Sequence, residues 1–243
     1  MRSIAFTWLL ALVLNSPLAA VGASRAAKTP GFQERLQAHV AGLDETGLSP
    51  IHALIHTVFE YQLPFALEYV DRNAVKVEPR IKLPQGTVQK RIESLVRMLP
   101  GFSVSFSSGL VDVYSPAARA EASNLLNVVL PHFKVQHLDA GLADAMVFDA
   151  LVAQKTRNAG VFNEAAGAGG PPLTIDAHNI RVYEALNRVV SEQGHSMWIV
   201  GAPPEKLSKL DGDLWHFHIL NSALEPVVAG GLLDLFPSIK HQN

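Results

Sequence analysis

The chain contains no cysteine. Disulfides are therefore excluded, and a chain of this kind in an oxidising compartment must be held together by packing alone. Attachment to a lipid through an N-terminal cysteine is excluded as well. Basic excess is also missing. Lys and Arg number 20 against 22 Asp and Glu, the formal charge is -2, and no basic stripe runs along the sequence. That balance argues against nucleic acid as a partner. No G-x-S-x-G motif is present. His195 and Ser196 are adjacent, which in a strand turns them to opposite faces, so a hydrolase is disfavoured. The glycines at 167–170 lack the spacing and the Lys of a phosphate-binding loop.

What is present is enough for a folded core. Of 243 residues, 48% are hydrophobic and 17% charged, which excludes disorder by composition. Length suggests one or two domains. The N-terminus has the form of a signal peptide over 1–23. Arg2 supplies the positive start, residues 4–14 are apolar, and Val21-Gly22-Ala23 offers a small-residue cleavage site. The apolar run is too short to cross a bilayer comfortably, and no other segment approaches the needed length. The expectation is a periplasmic or secreted, soluble bacterial chain without a transmembrane anchor after cleavage.

Residues 24–48 read as a polar N-terminal segment with a helical possibility at 32–40. Ser49-Pro50 opens a helix as N-cap and first helical position. Ile51, Leu54, Ile55, Val58 and Phe59 give it one apolar face. Pro64 ends it. Residues 65–70 and 75–83 read as extended. Thr87 caps a second helix carrying Val88, Ile92, Leu95, Val96 and Leu99, which Pro100-Gly101 stops. Phe102, Val104 and Phe106 alternate with Ser, Ser108-Gly109 turns, and residues 110–114 return as the partner strand. Residues 117–130 begin helical, 133–135 form a short strand, and 142–152 an Ala-rich helix. Residues 158–172, containing GAGGPP, read as a flexible loop. LTIDAHNIRVYEALNRVV, at 173–190, reads as a short strand, a two-residue polar turn and an amphipathic helix that Gly194 stops. Residues 197–200 and 214–220 read as strands, with a polar connection at 201–213 and a tail from 221 that either docks or frays.

The segment 81–104 aligns with 175–198 at an offset of 94. Ile81 falls on Ile175, Val88 on Val182, Ile92 on Leu186, Leu95 on Val189, Val96 on Val190 and Val104 on Trp198. An offset of 54 gives a weaker match, with Val88 on Leu142 and Ile92 on Met146. Either the β-α unit recurs, or amphipathic β-α pairs align wherever both have a core face. A recurring unit would bury one helix face on a small sheet. The sequence over 173–200 resembles the short β-α-β modules at the N-termini of secretins and TonB-dependent transducers, the STN-like and secretin-N-like domains. The resemblance rests on Thr174-Ile175-Asp176, Asn179, Val182, Ala185-Leu186-Asn187, Gly194 and Trp198-Ile199-Val200. Residues 75–115 look like a diverged second copy. This resemblance implies a periplasmic module that contacts other envelope proteins, with no catalytic residues to carry over. The absence of a following barrel or secretin core leads to the expectation that the chain is not itself a pore.

The chemistry that could hide here is metal binding. His52 and His56 stand at i and i+4 on the first helix, and His216 and His218 share a strand face if 214–220 is a strand; both spacings can hold an ion. The plainer reading of each is a solvated edge. Trp198 and Trp215 would anchor a partner only if exposed; core is the plainer reading. The expected protein is thus α+β, with two related β-α-β-β units at 49–116 and 117–220, an N-terminal helix, and a C-terminal tail at 221–243. It is expected to be a non-enzymatic interaction module that binds another envelope protein and uses no cofactor. The alternative is a small metal- or ligand-binding protein using His52, His56, His216 and His218.

Overall fold

The computed structural model describes residues 30–70, 78–122, 124–154, 161–166, 171–201 and 215–221. For 69–70, 79, 152, 154, 161–166, 201 and 215–221 it describes the backbone alone. The fold is α+β, and its best-defined elements begin where short polar residues cap them. The first helix α1 is brief, Phe32–Leu36. Strands β1 (His39–Val40) and β2 (Leu43–Leu48) follow. The helical expectation over 32–40 is therefore corrected in its second half, because Val40 pairs with Gly86 in a two-stranded ladder. In α2 (Pro50–Glu60) the Ser49 hydroxyl accepts the His52 N–H at 3.3 Å, and Ile51, Leu54, Ile55 and Val58 are buried. Next come β3 (Phe65–Val70), β4 (Glu78–Leu83) and β5 (Gly86–Thr87). Helix α3 (Val88–Val96) starts with the Thr87 hydroxyl accepting from the Lys90 N–H and buries Val88, Ile92, Leu95 and Val96.

Strands β6 (Ser103–Ser107) and β7 (Leu110–Tyr114) form the expected hairpin. Its two turn residues, Ser108 and Gly109, have φ of 53° and 74°. Two positive φ values in a two-residue loop match the twist of the flanking strands. A short helix α4 (Pro116–Ala120) and a 3-10 turn at Leu125–Asn127 account for the helical character after 116. Strand β8 is Val129–Leu138, ten residues where the pattern suggests three. Helix α5 is Ala140–Gln154. Strand β9, Val161–Ala166, lies inside the segment expected to be a flexible loop and corrects that expectation. It pairs in parallel with β12 (Trp215–Asn221) from Val161 opposite Trp215 to Ala166 opposite Leu220. Ladder pairing with a distant strand overrides the Gly-rich flank. Strand β10 is Leu173–Arg181, so the polar turn expected after Ala177 is strand as well, with Asn179 at φ 51°. Helix α6 (Val182–Gln193) ends at Gly194 with φ 82°, and β11 is Ser196–Gly201.

A six-stranded sheet runs β6-β7-β3-β11-β12-β9. Alternation along its central strands feeds two cores. Phe65, Leu67, Val111, Val113, Met197 and Ile199 pack against α1, α2 and α3. Ala66, Leu110, Trp198 and Val200 pack on the other face against α5, α6 and the β8–β10 ribbon. With the two-residue β5 set aside, which has no counterpart among the described residues of the second set, the element order strand–helix–strand–strand–helix–strand–strand occurs twice, from β2 to β7 and from β8 to β12. Neighbour relations repeat too. The β2·β4 and β8·β10 ladders are antiparallel, as are β6·β7 and β11·β12, while β7·β3 and β12·β9 are parallel. The positions paired at an offset of 94 fall on corresponding elements. The 54 offset does not survive. Leu142 and Met146 are among the most exposed apolar side chains, whereas Val88 and Ile92 are buried.

Val189 is fully buried on α6 and faces the second core. Val189→Asp places an unpaired charge there, at an expected cost of several kcal/mol. Its thermal melt should lie far below that of the parent; a coincident melt would mean that α6 does not bury this face. Among the described residues no helix is long and apolar enough to cross a membrane. Residues 1–23, the connection at 202–214 and the tail beyond 221 lie outside the described residues.

Candidate functional site

Of the four histidines singled out by spacing, the structure describes the side chains of His52 and His56. His52 is half-buried on α2, and burial pushes its imidazole pKa down. Its Nε2 has no hydrogen-bond partner among the described residues. His56, one turn on, is exposed. His216 and His218 lie on β12, opposite Gly201 and Ile199, and their side chains are outside the described residues. Neither His52 nor His56 belongs to a group of three donors among the described residues. Ser196 is buried on β11, and its hydroxyl has no hydrogen-bond partner among the described residues, His195 included. Trp198 is 1% exposed and donates its indole N–H to Asn187 at 2.9 Å, so it is core and not an exposed anchor.

The groups that do come together lie on the β8–β10 ribbon. Phe133, Val135, Ile175 and Ala177 turn inward to the core. The intervening residues His132, Lys134, Asp176 and His178 are therefore all on the outer face. His132 stands directly opposite His178, and Lys134 opposite Asp176. The two imidazoles stack at 4.2 Å with 5° between their planes. His132 Nε2 lies 2.9 Å from Asp176 Oδ1 and His178 Nε2 lies 3.7 Å from the same oxygen, while Lys134 Nζ is 3.7 Å from Oδ2. The hydrogen bond from His132, then the charges of His132, Lys134 and His178, hold the Asp176 carboxyl below its usual range.

Asp176 and His178 also line a cleft of about 550 Å³, together with Ser107 at the end of β6, Ser108 of the β6–β7 turn, and Glu184, Asn187 and Arg188 of α6. That volume suits a small molecule. The Glu184 carboxylate accepts the Arg181 N–H at 3.0 Å, so Glu184 caps α6. Asp112, on the cleft wall, belongs to a buried ionic group. Arg119 of α4 donates Nε–H to Glu68 Oε1 at 2.7 Å and contacts both Asp112 oxygens through one amino group at 2.8 Å. The same amino group also donates to Glu68. Its guanidinium lies over the Tyr114 ring at 3.8 Å and the Tyr183 ring at 4.5 Å. Burial pushes Glu68 up to about 7 despite the Arg119 hydrogen bonds and charge. Burial raises Asp112 too, against the pull of Arg119 and an Asn187 hydrogen bond.

At the end of the sheet, β6 pairs only with β7 among the described residues. Its counterpart in the second set, β11, pairs on both sides, with β12 and with β3. Neither the ionic group nor the histidine cluster is apparent in the local sequence pattern. The available signal is the period-2 spacing of His132 with Lys134 and of Asp176 with His178, which needs the strands to be paired before it means anything. No family model, curated protein or solved structure matches the chain.

Proposed function

We propose that the chain is a non-enzymatic interaction module of the periplasm or the secreted space. It binds an extended strand of another envelope protein along β6. The observation that carries this reading is the outer side of β6. A strand with one neighbour presents unpaired N–H and C=O groups, a template for an added strand. The β3·β11 ladder supports a parallel direction for the added strand, because β11 holds the position in the second set that β6 holds in the first and accepts β3 in parallel. Two occurrences of one element order, joined at that ladder, support descent from a single unit. The resemblance to secretin and TonB-transducer modules supports the envelope assignment.

The hairpin geometry supplies a selective test. In a two-residue hairpin the residues flanking the turn form a hydrogen-bonded pair, here Ser107 with Leu110. Alternate residues Val104 and Phe106 therefore direct their N–H groups away from β7. Val104→Pro removes one outward donor and leaves the β6·β7 ladder intact. Val104 also packs against the first core, so the variant should melt somewhat lower but still cooperatively. Capture from envelope extract below that melt should recover a partner with the parent chain and lose it with Val104→Pro. Equal recovery by both chains, or none by either, would overturn the reading.

The histidine cluster favours a second reading, a small metal- or ligand-binding protein. The cluster uses none of the four histidines marked by sequence spacing.

A further inference from the structure

We propose that His132, Asp176 and His178 form a binding site for one divalent transition-metal ion. The site goes beyond the sheet-edge reading and does not depend on it. The three side chains place two imidazole nitrogens and one carboxylate oxygen within 4.8 Å of one another. A tetrahedral ion with bonds of about 2.0–2.2 Å holds its donors roughly 3.3 Å apart. The two measured separations, 2.9 and 3.7 Å from Asp176 Oδ1, straddle that value. Closing on an ion needs the two imidazoles to tilt out of their parallel stack so that both nitrogen lone pairs converge, and all three residues are exposed enough to rotate.

The backbone underneath is fixed. His132 and His178 are a direct cross-strand pair, and Asp176 shares the face of His178 two residues away. The inward side of the ribbon is packed into the core. Ligands on a rigid ladder lose little freedom when an ion binds. Asp176 divides its oxygens. Oδ1 faces both imidazoles, and Oδ2 faces Lys134. Lys134 thereby orients the carboxylate from outside the ligand set, as second partners of ligating groups do. The same ammonium competes with the ion for the carboxylate charge. Two imidazoles with one carboxylate suit zinc and its neighbours better than the hard ions calcium and magnesium, which take oxygen donors. Three protein donors leave a coordination position open. Because Asp176 and His178 also line the cleft, the ion stands at its lip, within reach of a small anionic or polar ligand held there.

Calorimetric titration of the untagged full chain with zinc chloride tests the site. The expected result is one ion per chain at micromolar affinity, with little heat from magnesium. His178→Ala and Asp176→Asn should each weaken zinc by about tenfold or more with unchanged melting temperatures. His216→Ala combined with His218→Ala should leave the affinity as it is. In NMR spectra zinc should move the ring-proton resonances of His132 and His178 first. Absence of heat at micromolar zinc overturns the proposal. So does retention of full affinity in His178→Ala, or its loss in the His216/His218 double variant.

Discussion

Arg119→Met should destabilise the chain by about 3–5 kcal/mol, the range found when one member of a buried ion group is removed. Glu68 and Asp112 are 0% and 6% exposed. Without the guanidinium, both carboxyls would remain in the core with no opposite charge beside them. Methionine keeps the length of the stem, so the loss would not come mainly from a void. The pH dependence separates this cause from lost packing. Glu68 already titrates near 7 in the folded chain, against an ordinary value of 4.5. A carboxyl raised on folding contributes stability below its unfolded value and loses it as pH rises through the folded one. Removing Arg119 takes away the hydrogen bonds and charge that hold both acids down, so their folded values rise further. The gap between parent and variant should therefore be smaller at pH 5 than at pH 8 in urea unfolding. Adding Glu68→Gln and Asp112→Asn to Arg119→Met should recover most of the loss. A gap that does not change with pH, or no recovery in the triple variant, would defeat this account.

The position of Arg119 explains why so much charge is tolerated there. It sits on α4, in the segment between the two sets of elements. It reaches Glu68 on β3 and Asp112 on β7 of the first set, and its plane lies between Tyr114 of the first set and Tyr183 of the second. Asn187 of α6 then links Asp112 to the Trp198 indole. This chain of polar contacts fastens α6 to the sheet beside the cleft. The cleft wall is tied to the sheet through these contacts.

Legibility from sequence followed range. Ser49-Pro50, Thr87, Ser108-Gly109 and Gly194 act on their own neighbours, so the helices and the hairpin they bound could be read directly. The apolar positions of α3 and α6 could be read for the same reason, since a helix face repeats within one element. Strand β9 could not. Val161 to Ala166 is a short run beside glycines, and only its ladder with β12 makes it a strand. The local pattern picks out only three residues of β8 because its outer face is polar. His132 and Lys134 look like loop residues until Phe133 and Val135 are known to face a core. The order of the six strands has no local signature at all. Both side-chain clusters inherit that limit. Glu68 and Arg119 are 51 positions apart, and His132 and Asp176 are 44 apart. Exposed Leu142 and Met146 show the opposite error, apolar residues read as a core face where α5 buries Ala140, Ala143, Val147, Phe148 and Leu151 instead.

Asp144→Ala should stabilise the chain at neutral pH by about 1–3 kcal/mol, the cost of an unsatisfied buried polar group. Asp144 lies on that same buried face of α5, one turn after Ala140 and one turn before Phe148. It is fully buried, and neither carboxyl oxygen has a hydrogen-bond partner among the described residues. Burial, and then the charge of Asp139, push its pKa well above the ordinary carboxylate range. The parent therefore loses stability as pH rises from the ordinary carboxyl value toward the raised one, because the unfolded chain ionises first. Alanine removes that loss, favours the helix, and matches the small residues beside it. Parent and variant should be closest near pH 4, and the advantage of the variant should be larger at pH 8. The same urea series measures both. A variant less stable than the parent at pH 8 would mean that the ionised carboxyl is stabilised in the folded chain, and Asp144 would then become a candidate functional group rather than a structural burden.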